Sequence, residues 1–78
     1  MNIPQRIREI IAEEVSVSVD AVKDDVLLKQ ELGAASLEII LVVVDIEDEF
    51  GVEIPEEIQE NFKTPKDIID YVEANVKK

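Results

Sequence analysis

Residues 32–50 read LGAASLEIILVVVDIEDEF: a loop of small residues, one serine, an unbroken apolar run and an acidic cluster. The β-branched residues favour a strand by propensity, but no period of two runs through the segment. At about 100° per residue, its apolar side chains instead share one face of a helix, namely Ile39, Val42, Val43, Ile46 and Phe50. Gly51 then supplies a C-terminal stop. We therefore predict a helix from Ser36 to Phe50.

The opposite face of this helix is mixed rather than purely polar. It combines three apolar residues with three acidic ones: Leu37, Leu41, Val44, Glu38, Asp45 and Asp48. An exposed face of this kind is typical of a surface that docks a partner. Small domains also expose some apolar residues without any function, so the pattern alone leaves both interpretations open.

Apolar residues at helical spacing predict a first helix from about Ile3 to Val15. Short polar and β-branched residues interrupt this period, with at most one short turn at residues 20–22. Residues 23–35 contain scattered apolar side chains without a period. We expect them to form a long, ordered loop, and such loops in compact domains are often functional.

Two more helices are predicted in the last third of the chain. The first is short, from Glu56 to about Asn61, and the second runs from Pro65 to about Val76. Thr64 can cap the second helix, with Asp67 completing a capping box, and the lysines at 77 and 78 suit its C-terminal end. The predicted fold is all-α: a four-helix bundle of three main helices and one short helix, with the long loop between the first two.

The composition restricts the chemistry available to this chain. Its 78 residues predict a single domain over residues 1–78. The absence of cysteine and histidine excludes disulfides and removes thiolate and imidazole metal ligands and the usual general base near neutral pH. Carboxylates alone would leave an enzyme poorly equipped. We therefore predict no catalytic residue, no metal site and no enzymatic activity.

The net charge of -11 indicates which partners the chain can approach. Nucleic acid and anionic membrane surfaces would repel it, whereas proteins with basic patches would attract it. No apolar run is long enough to span a bilayer, and residues 1–6 have no signal-peptide pattern. We expect a cytoplasmic protein that does not insert into membranes, and nothing indicates an oligomer rather than a monomer.

The negative charge is concentrated in one window. Residues 31–62 contain ten acidic residues and no basic one. Most acidic runs are simply solvated faces, but this window also contains Ser36, which favours an electrostatic docking surface. A calcium loop does not fit, because Gly51 at the sixth position would put Ile46 at the first ligand position. Weak binding of divalent cations to the carboxylates stays open.

Ser36 can be interpreted in three ways from the sequence. It can be an N-cap or first-turn residue of the helix, a nucleophile, or a site of modification. No neighbouring base and no G-x-S-x-G motif support a nucleophile. A modification fits better, because a phosphate attached at the start of a helix lies next to free backbone N–H groups and the positive end of the helix dipole.

Three motifs carry a resemblance to a known family. Residues 32–38 read LGAASLE, residues 47–55 read EDEFGVEIP, and residues 64–72 read TPKDIIDYV. In this order and spacing they resemble the acyl carrier proteins. The pattern of that family is a leucine-glycine loop, then Asp-Ser-Leu, an apolar and acidic second helix, and Phe-x-x-x-Ile-Pro. The resemblance covers nearly all of the 78 residues.

The resemblance implies a four-helix bundle whose Ser36 carries 4′-phosphopantetheine, installed from coenzyme A by a phosphopantetheinyl transferase. The thiol of this arm would hold acyl groups as thioesters for fatty-acid, polyketide or related biosynthetic enzymes, and the helical core would part slightly to shelter them. The acidic helix would dock on basic patches of these enzymes. The docking residues are then Leu37, Glu38, Asp45, Glu47 and Asp48, to which the outward apolar face adds Leu41 and Val44.

Two residues depart from the family pattern. Ala35 stands where acyl carriers have an aspartate before the serine, and Leu41 stands where the fatty-acid branch has an acidic residue. Losing the aspartate removes a helix cap and a charge presented to the transferase. It favours two alternatives: an unmodified, carrier-like acidic interaction module, or a carrier of activated amino acids.

Overall fold

The computed structural model describes residues 2–76. Its four helices are α1 (Ile3–Val15), α2 (Ser36–Phe50), α3 (Glu56–Gln59) and α4 (Pro65–Asn75). A short 3-10 turn, Val19–Ala21, lies in the connection between α1 and α2. Residues 2–76 contain no β-strand. The all-α prediction of three main helices and one short one is therefore confirmed.

Local signals set the ends of α1. The Asn2 side chain accepts a hydrogen bond from the Gln5 N–H at 3.0 Å, and Pro4 lies in the first turn, where its missing N–H leaves no carbonyl unpaired. The helix ends where Ser16 adopts a left-handed conformation, with φ of 61°. A left-handed residue, most often glycine, is a common way for a helix to end. The helix therefore stops after Val15, where the sequence predicts its end.

The third helix is shorter than predicted, ending at Gln59 rather than near Asn61. The reason is a tightened last turn. The N–H of Asn61 donates to Ile58 and that of Phe62 donates to Gln59, each across three residues instead of four. This tighter winding brings the Phe62 side chain into the core, where it is buried.

The predicted capping box begins α4. The N–H of Asp67 donates to Thr64 Oγ1 at 3.3 Å, and the N–H of Thr64 donates to Asp67 Oδ2 at 3.1 Å. The helix ends at Asn75, one residue before the predicted end, because Val76 is already extended with ψ of 137°. The predicted contribution of residues 77 and 78 to this helix end falls outside the described residues.

Apolar side chains from all three long helices and from the segments between them form the core. The largest fully buried ones are Ile7, Ile11, Val22, Val43, Ile46, Ile68 and Val72. The predicted inward face of α2 is confirmed at its centre, where Val42, Val43 and Ile46 are buried. Ile39 and Phe50 lie at the edge of the core and are half-buried. No helix within residues 2–76 has the length and apolar character needed to cross a membrane.

Ion pairs hold α1 against its neighbours. Arg6 donates two hydrogen bonds to the Glu49 carboxylate of α2, with N···O distances of 2.6 and 2.9 Å. This pairing raises the pKa of Arg6 and lowers the pKa of Glu49. Arg8 pairs with Asp24 in the long loop. Both pairs are solvent-accessible, so their main effect is to orient α1 rather than to stabilise the core.

Candidate functional site

Ser36 is the first residue of α2, and its side chain is exposed. It is therefore a first-turn residue rather than the cap. The cap position belongs to Ala35, which is extended with φ of -76° and ψ of 159°. Its methyl group cannot accept a hydrogen bond, so no side chain caps this end of α2. The serine hydroxyl thus lies at the positive end of a fifteen-residue helix.

Only half of a capping box is present at this end. The Glu38 carboxylate reaches back and accepts a hydrogen bond from the Ala35 N–H at 2.8 Å. No side-chain oxygen comes from position 35 in return, so the first-turn N–H groups of α2 keep their capacity to bind an acceptor. Next to an exposed hydroxyl, such groups suit a phosphate. Glu38, predicted as a docking residue, uses one carboxylate oxygen for this local bond.

Backbone hydrogen bonds fix the loop that leads to Ser36. The N–H of Ala34 donates to the Leu28 carbonyl at 2.9 Å, and the N–H of Leu28 donates to the Lys63 carbonyl at 2.9 Å. Leu28 and Ala34 are both buried. Gly33 adopts φ of 72°, a conformation that glycine tolerates without strain. The predicted ordered loop is therefore pinned on both sides just before the serine.

Ser36 lies on the rim of a groove of about 420 Å³ between α2 and α3. Its lining combines apolar residues with charged and amide side chains: Lys29, Ser36, Ile39, Ile40, Glu56, Gln59, Glu60 and Phe62. The Gln59 side chain is held in place, because its Nε2 donates to the Ile54 carbonyl at 2.8 Å. The volume is within the range of small-ligand pockets, about 300–1,000 Å³.

A second, much smaller cavity lies inside the core. It measures about 10 Å³ and is lined only by apolar residues: Ile11, Val15, Leu28, Ala34, Ile39, Val42 and Ile68. Ile39 borders both this cavity and the outer groove. The half-buried Ile39 side chain therefore separates the groove beside Ser36 from the apolar interior.

The outward face of α2 exposes four large apolar side chains. Leu37 is 65% exposed, Ile40 49%, Leu41 42% and Val44 51%. The sequence interpretation placed Leu37, Leu41 and Val44 here but missed Ile40. Its spacing from Leu37 and Val44, three and four residues, was the available signal. Lys29 was also missed, because no periodicity links a loop residue to a helix that begins seven positions later.

The predicted acidic docking residues do not share one environment. Asp45 and Asp48 are exposed. Glu47 is half-buried, and its carboxylate accepts a hydrogen bond from the Ile54 N–H at 2.8 Å, which ties the segment after α2 to the helix. Asp45 also faces Glu14 of α1. This contact between two carboxyl groups raises the pKa of Glu14 above its usual range.

Within residues 2–76, no three side chains of the ligating types converge on a point where they could hold a metal ion.

Comparisons with known proteins identify the class of this fold and site. A family model described as the phosphopantetheine attachment site matches residues 5–72. Among solved structures, the chain is similar to an acyl carrier protein from Enterococcus faecalis, with 33% sequence identity and a TM-score of 0.80. The match covers 94% of this chain and 92% of that chain.

The chain belongs to the phosphopantetheine attachment family, and its fold is that of an acyl carrier protein. The cofactor of this family is phosphopantetheine, as the resemblance in the sequence implied. Carrier domains of this type present a bound group to other enzymes and are not catalytic themselves.

Proposed function

We propose that this chain is an acyl carrier protein in which Ser36 holds 4′-phosphopantetheine through a phosphodiester bond. It would deliver acyl groups to fatty-acid, polyketide or related biosynthetic enzymes. One observation carries the proposal: an exposed serine hydroxyl stands at the uncapped start of a long helix, on the rim of a groove.

The residues around Ser36 fit each part of the proposed group. The N–H groups of Leu37 and Glu38 have no side-chain cap at the positive helix end, which supports hydrogen bonds from them to phosphate oxygens. Ile39, Ile40 and Phe62 offer apolar surface to the carbon chain of the arm, and Gln59 offers an amide to its amide groups. The groove of about 420 Å³ provides the space.

The bound group supplies a thiol on which acyl groups are held as thioesters. This chemistry suits a chain without cysteine or histidine, because the protein only has to attach, orient and release the arm. The apolar cavity behind Ile39 supports a sheltering role for the core. An apolar acyl chain that displaced Ile39 would meet an interior lined by other aliphatic side chains.

The outward face of α2 is the proposed docking surface for phosphopantetheinyl transferases and acyl-processing enzymes. Five of its exposed residues were predicted from the sequence, namely Leu37, Leu41, Val44, Asp45 and Asp48. Ile40 is the sixth. Glu38 and Glu47 contribute charge there in addition to their local hydrogen bonds. A complementary partner surface has an apolar centre with basic residues at its rim.

Intact-mass analysis after incubation with coenzyme A and a broad-specificity phosphopantetheinyl transferase tests the attachment. We expect the mass to increase by one phosphopantetheinyl group. Ser36→Ala should abolish the increase, whereas Ser18→Ala, a matched change at another exposed serine, should keep it. An unmodified chain beside a fully modified reference carrier, or a modified Ser36→Ala variant, would overturn the proposal.

A second candidate function rests on Ala35. The absence of a charged residue directly before the serine favours an acidic interaction module that is never modified. The same experiment separates the two functions when Ala35→Asp is included. An interaction module predicts no mass increase for the native chain even at long incubation, and modification only after Ala35→Asp.

A further inference from the structure

We propose that Lys29 is a positioning residue for the cofactor and pairs with the phosphodiester on Ser36. This inference rests on the proposed attachment at Ser36 and adds a residue that the attachment itself does not require. Lys29 and Ser36 line the same groove, although seven positions separate them in the sequence.

The backbone around Lys29 is fixed relative to the serine. Its neighbour Leu28 accepts a hydrogen bond from Ala34, two residues before Ser36, and donates one to Lys63, next to Phe62. The turn that follows is also closed, since the N–H groups of residues 31 and 32 both donate to the Leu27 carbonyl, at 2.8 and 3.1 Å. The backbone at Lys29 is therefore anchored to the segment before α2 and to the segment that contains Phe62.

The groove has one positively charged side chain with which an anion can pair. Lys29 carries the single positive charge among the lining residues, which also include the carboxylates of Glu56 and Glu60. A phosphodiester anywhere near those carboxylates would be repelled in a chain of net charge -11. A lysine suits this task, because its ammonium group is a compact charge on a flexible stem and binds phosphate as a point charge.

Lys29 is also available for this role. Among the basic residues of the region 2–76, Arg6, Arg8 and Lys66 take part in ion pairs, whereas Lys29 forms none. Glu60 is the carboxylate best placed to compete for it, since both residues also border a neighbouring groove. Ala35 adds no carboxylate at the helix end, and the Glu38 carboxylate there accepts the Ala35 N–H. A phosphate on Ser36 would therefore contact the first-turn N–H groups and Lys29.

Two measurements on the unmodified and modified forms test this role. In amine-reactive labelling followed by peptide mass spectrometry, Lys29 should react about two- to fivefold more slowly once the arm is attached, as expected for an exposed ion pair. Lys23 is the matched control, because it is exposed in the same loop but lines a different groove. Its labelling rate should stay the same in both forms.

The second measurement separates charge pairing from simple shielding by the arm. Thermal unfolding is recorded for both forms of the native chain, Lys29→Gln, Lys29→Arg and Lys23→Gln. Lys29→Gln should lower the melting temperature of the modified form by about 2–5 °C more than that of the unmodified form. Lys29→Arg, which keeps the charge, and Lys23→Gln should each shift the two forms equally.

The outcomes distinguish this inference from the proposed function. A chain that gains no mass overturns both. A chain that is modified while Lys29→Gln shifts both forms equally overturns only the role of Lys29, whether or not Lys29 labels more slowly. Slower labelling together with a loss specific to the modified form supports charge pairing.

Discussion

Ala35 shows how one side chain affects both stability and chemistry. It lies in the extended conformation of a helix cap, yet its methyl group cannot accept a hydrogen bond from the first turn of α2. Glu38 supplies the reciprocal half of the capping box, which holds the loop but leaves the first-turn N–H groups free of a side-chain acceptor. A residue that capped this end would stabilise α2 and would also compete with a phosphate on Ser36 for the same donors.

Replacing Ala35 with a capping residue should stabilise the unmodified chain. Ala35→Asp and Ala35→Asn should each raise the free energy of unfolding by about 1 kcal/mol, which corresponds to about 4–8 °C in melting temperature. Thermal unfolding followed by circular dichroism measures this change. Ala21→Asp, which adds the same charge at an exposed position in the 3-10 turn, should not stabilise. Equal melting temperatures for the native chain and both capped variants would contradict the capping account.

At the scale of the element, α2 performs different tasks on different faces. Val42, Val43 and Ile46 pack in the core, whereas Leu37 and Leu41 face outward and carry the proposed docking surface. Glu47 has a structural role, because its carboxylate accepts a hydrogen bond from the N–H of Ile54. Residues that look equivalent in an acidic, apolar helix therefore have separate roles.

Leu41→Gln and Glu47→Ala should separate these roles. Leu41→Gln changes an exposed side chain without a loss of helix propensity, so the free energy of unfolding should change by less than about 0.5 kcal/mol. Its kcat/KM as a transferase substrate should fall about tenfold if the side chain is an anchor of docking. Glu47→Ala should instead lower the free energy of unfolding by about 1 kcal/mol, and Glu47→Gln, which keeps an acceptor, should not. An unchanged kcat/KM for Leu41→Gln would remove Leu41 from the docking surface.

For the whole molecule, the distribution of charge opposes the packing of the helices. The net charge is -11, and residues 31–62 carry ten carboxylates without a basic residue. Glu14 of α1 faces Asp45 of α2, and Glu13 and Glu38 add further negative charge there. On another part of the same helix pair, Arg6 and Glu49 attract each other. The packing of α1 on α2 thus combines a repulsive and an attractive contact.

Stability should therefore pass through a maximum at mildly acidic pH. The pKa of Glu14 is raised in the folded state by its contact with Asp45, so the folded chain binds this proton more tightly. It therefore gains stability as the pH falls through this raised pKa toward the ordinary value of 4.5. The pKa of Glu49 is lowered by its hydrogen bonds to Arg6, so that contribution is lost only at more acidic pH, as Glu49 is protonated.

Melting temperatures measured across this pH range check both signs. The rise between neutral and mildly acidic pH should be smaller in Glu14→Gln than in the native chain. It should keep its full size in Glu73→Gln, which removes one charge from an exposed position on α4. An equal rise in both variants would show that general repulsion, rather than the contact between Glu14 and Asp45, controls the pH dependence.

Features that depend on neighbours along the chain could be predicted from the sequence. Helical periodicity identified α2 and its inward face, and the Thr64–Asp67 capping box marked the start of α4. The serine at the head of α2 could be recognised for the same reason. Each signal involves residues no more than a few positions apart, so backbone geometry converts spacing directly into position.

Contacts between residues far apart in the sequence could not be predicted and are seen in the folded chain. In the fold, Lys29 and Ser36 line one groove, and the Glu47 carboxylate accepts the N–H of Ile54. Glu14 of α1 contacts Asp45 of α2. These contacts depend on how the loop is pinned by Leu28 and Ala34 and on how α1 packs on α2. Packing of this kind depends on the whole core, because the burial of apolar surface is non-directional and does not depend on the spacing of residues in the sequence.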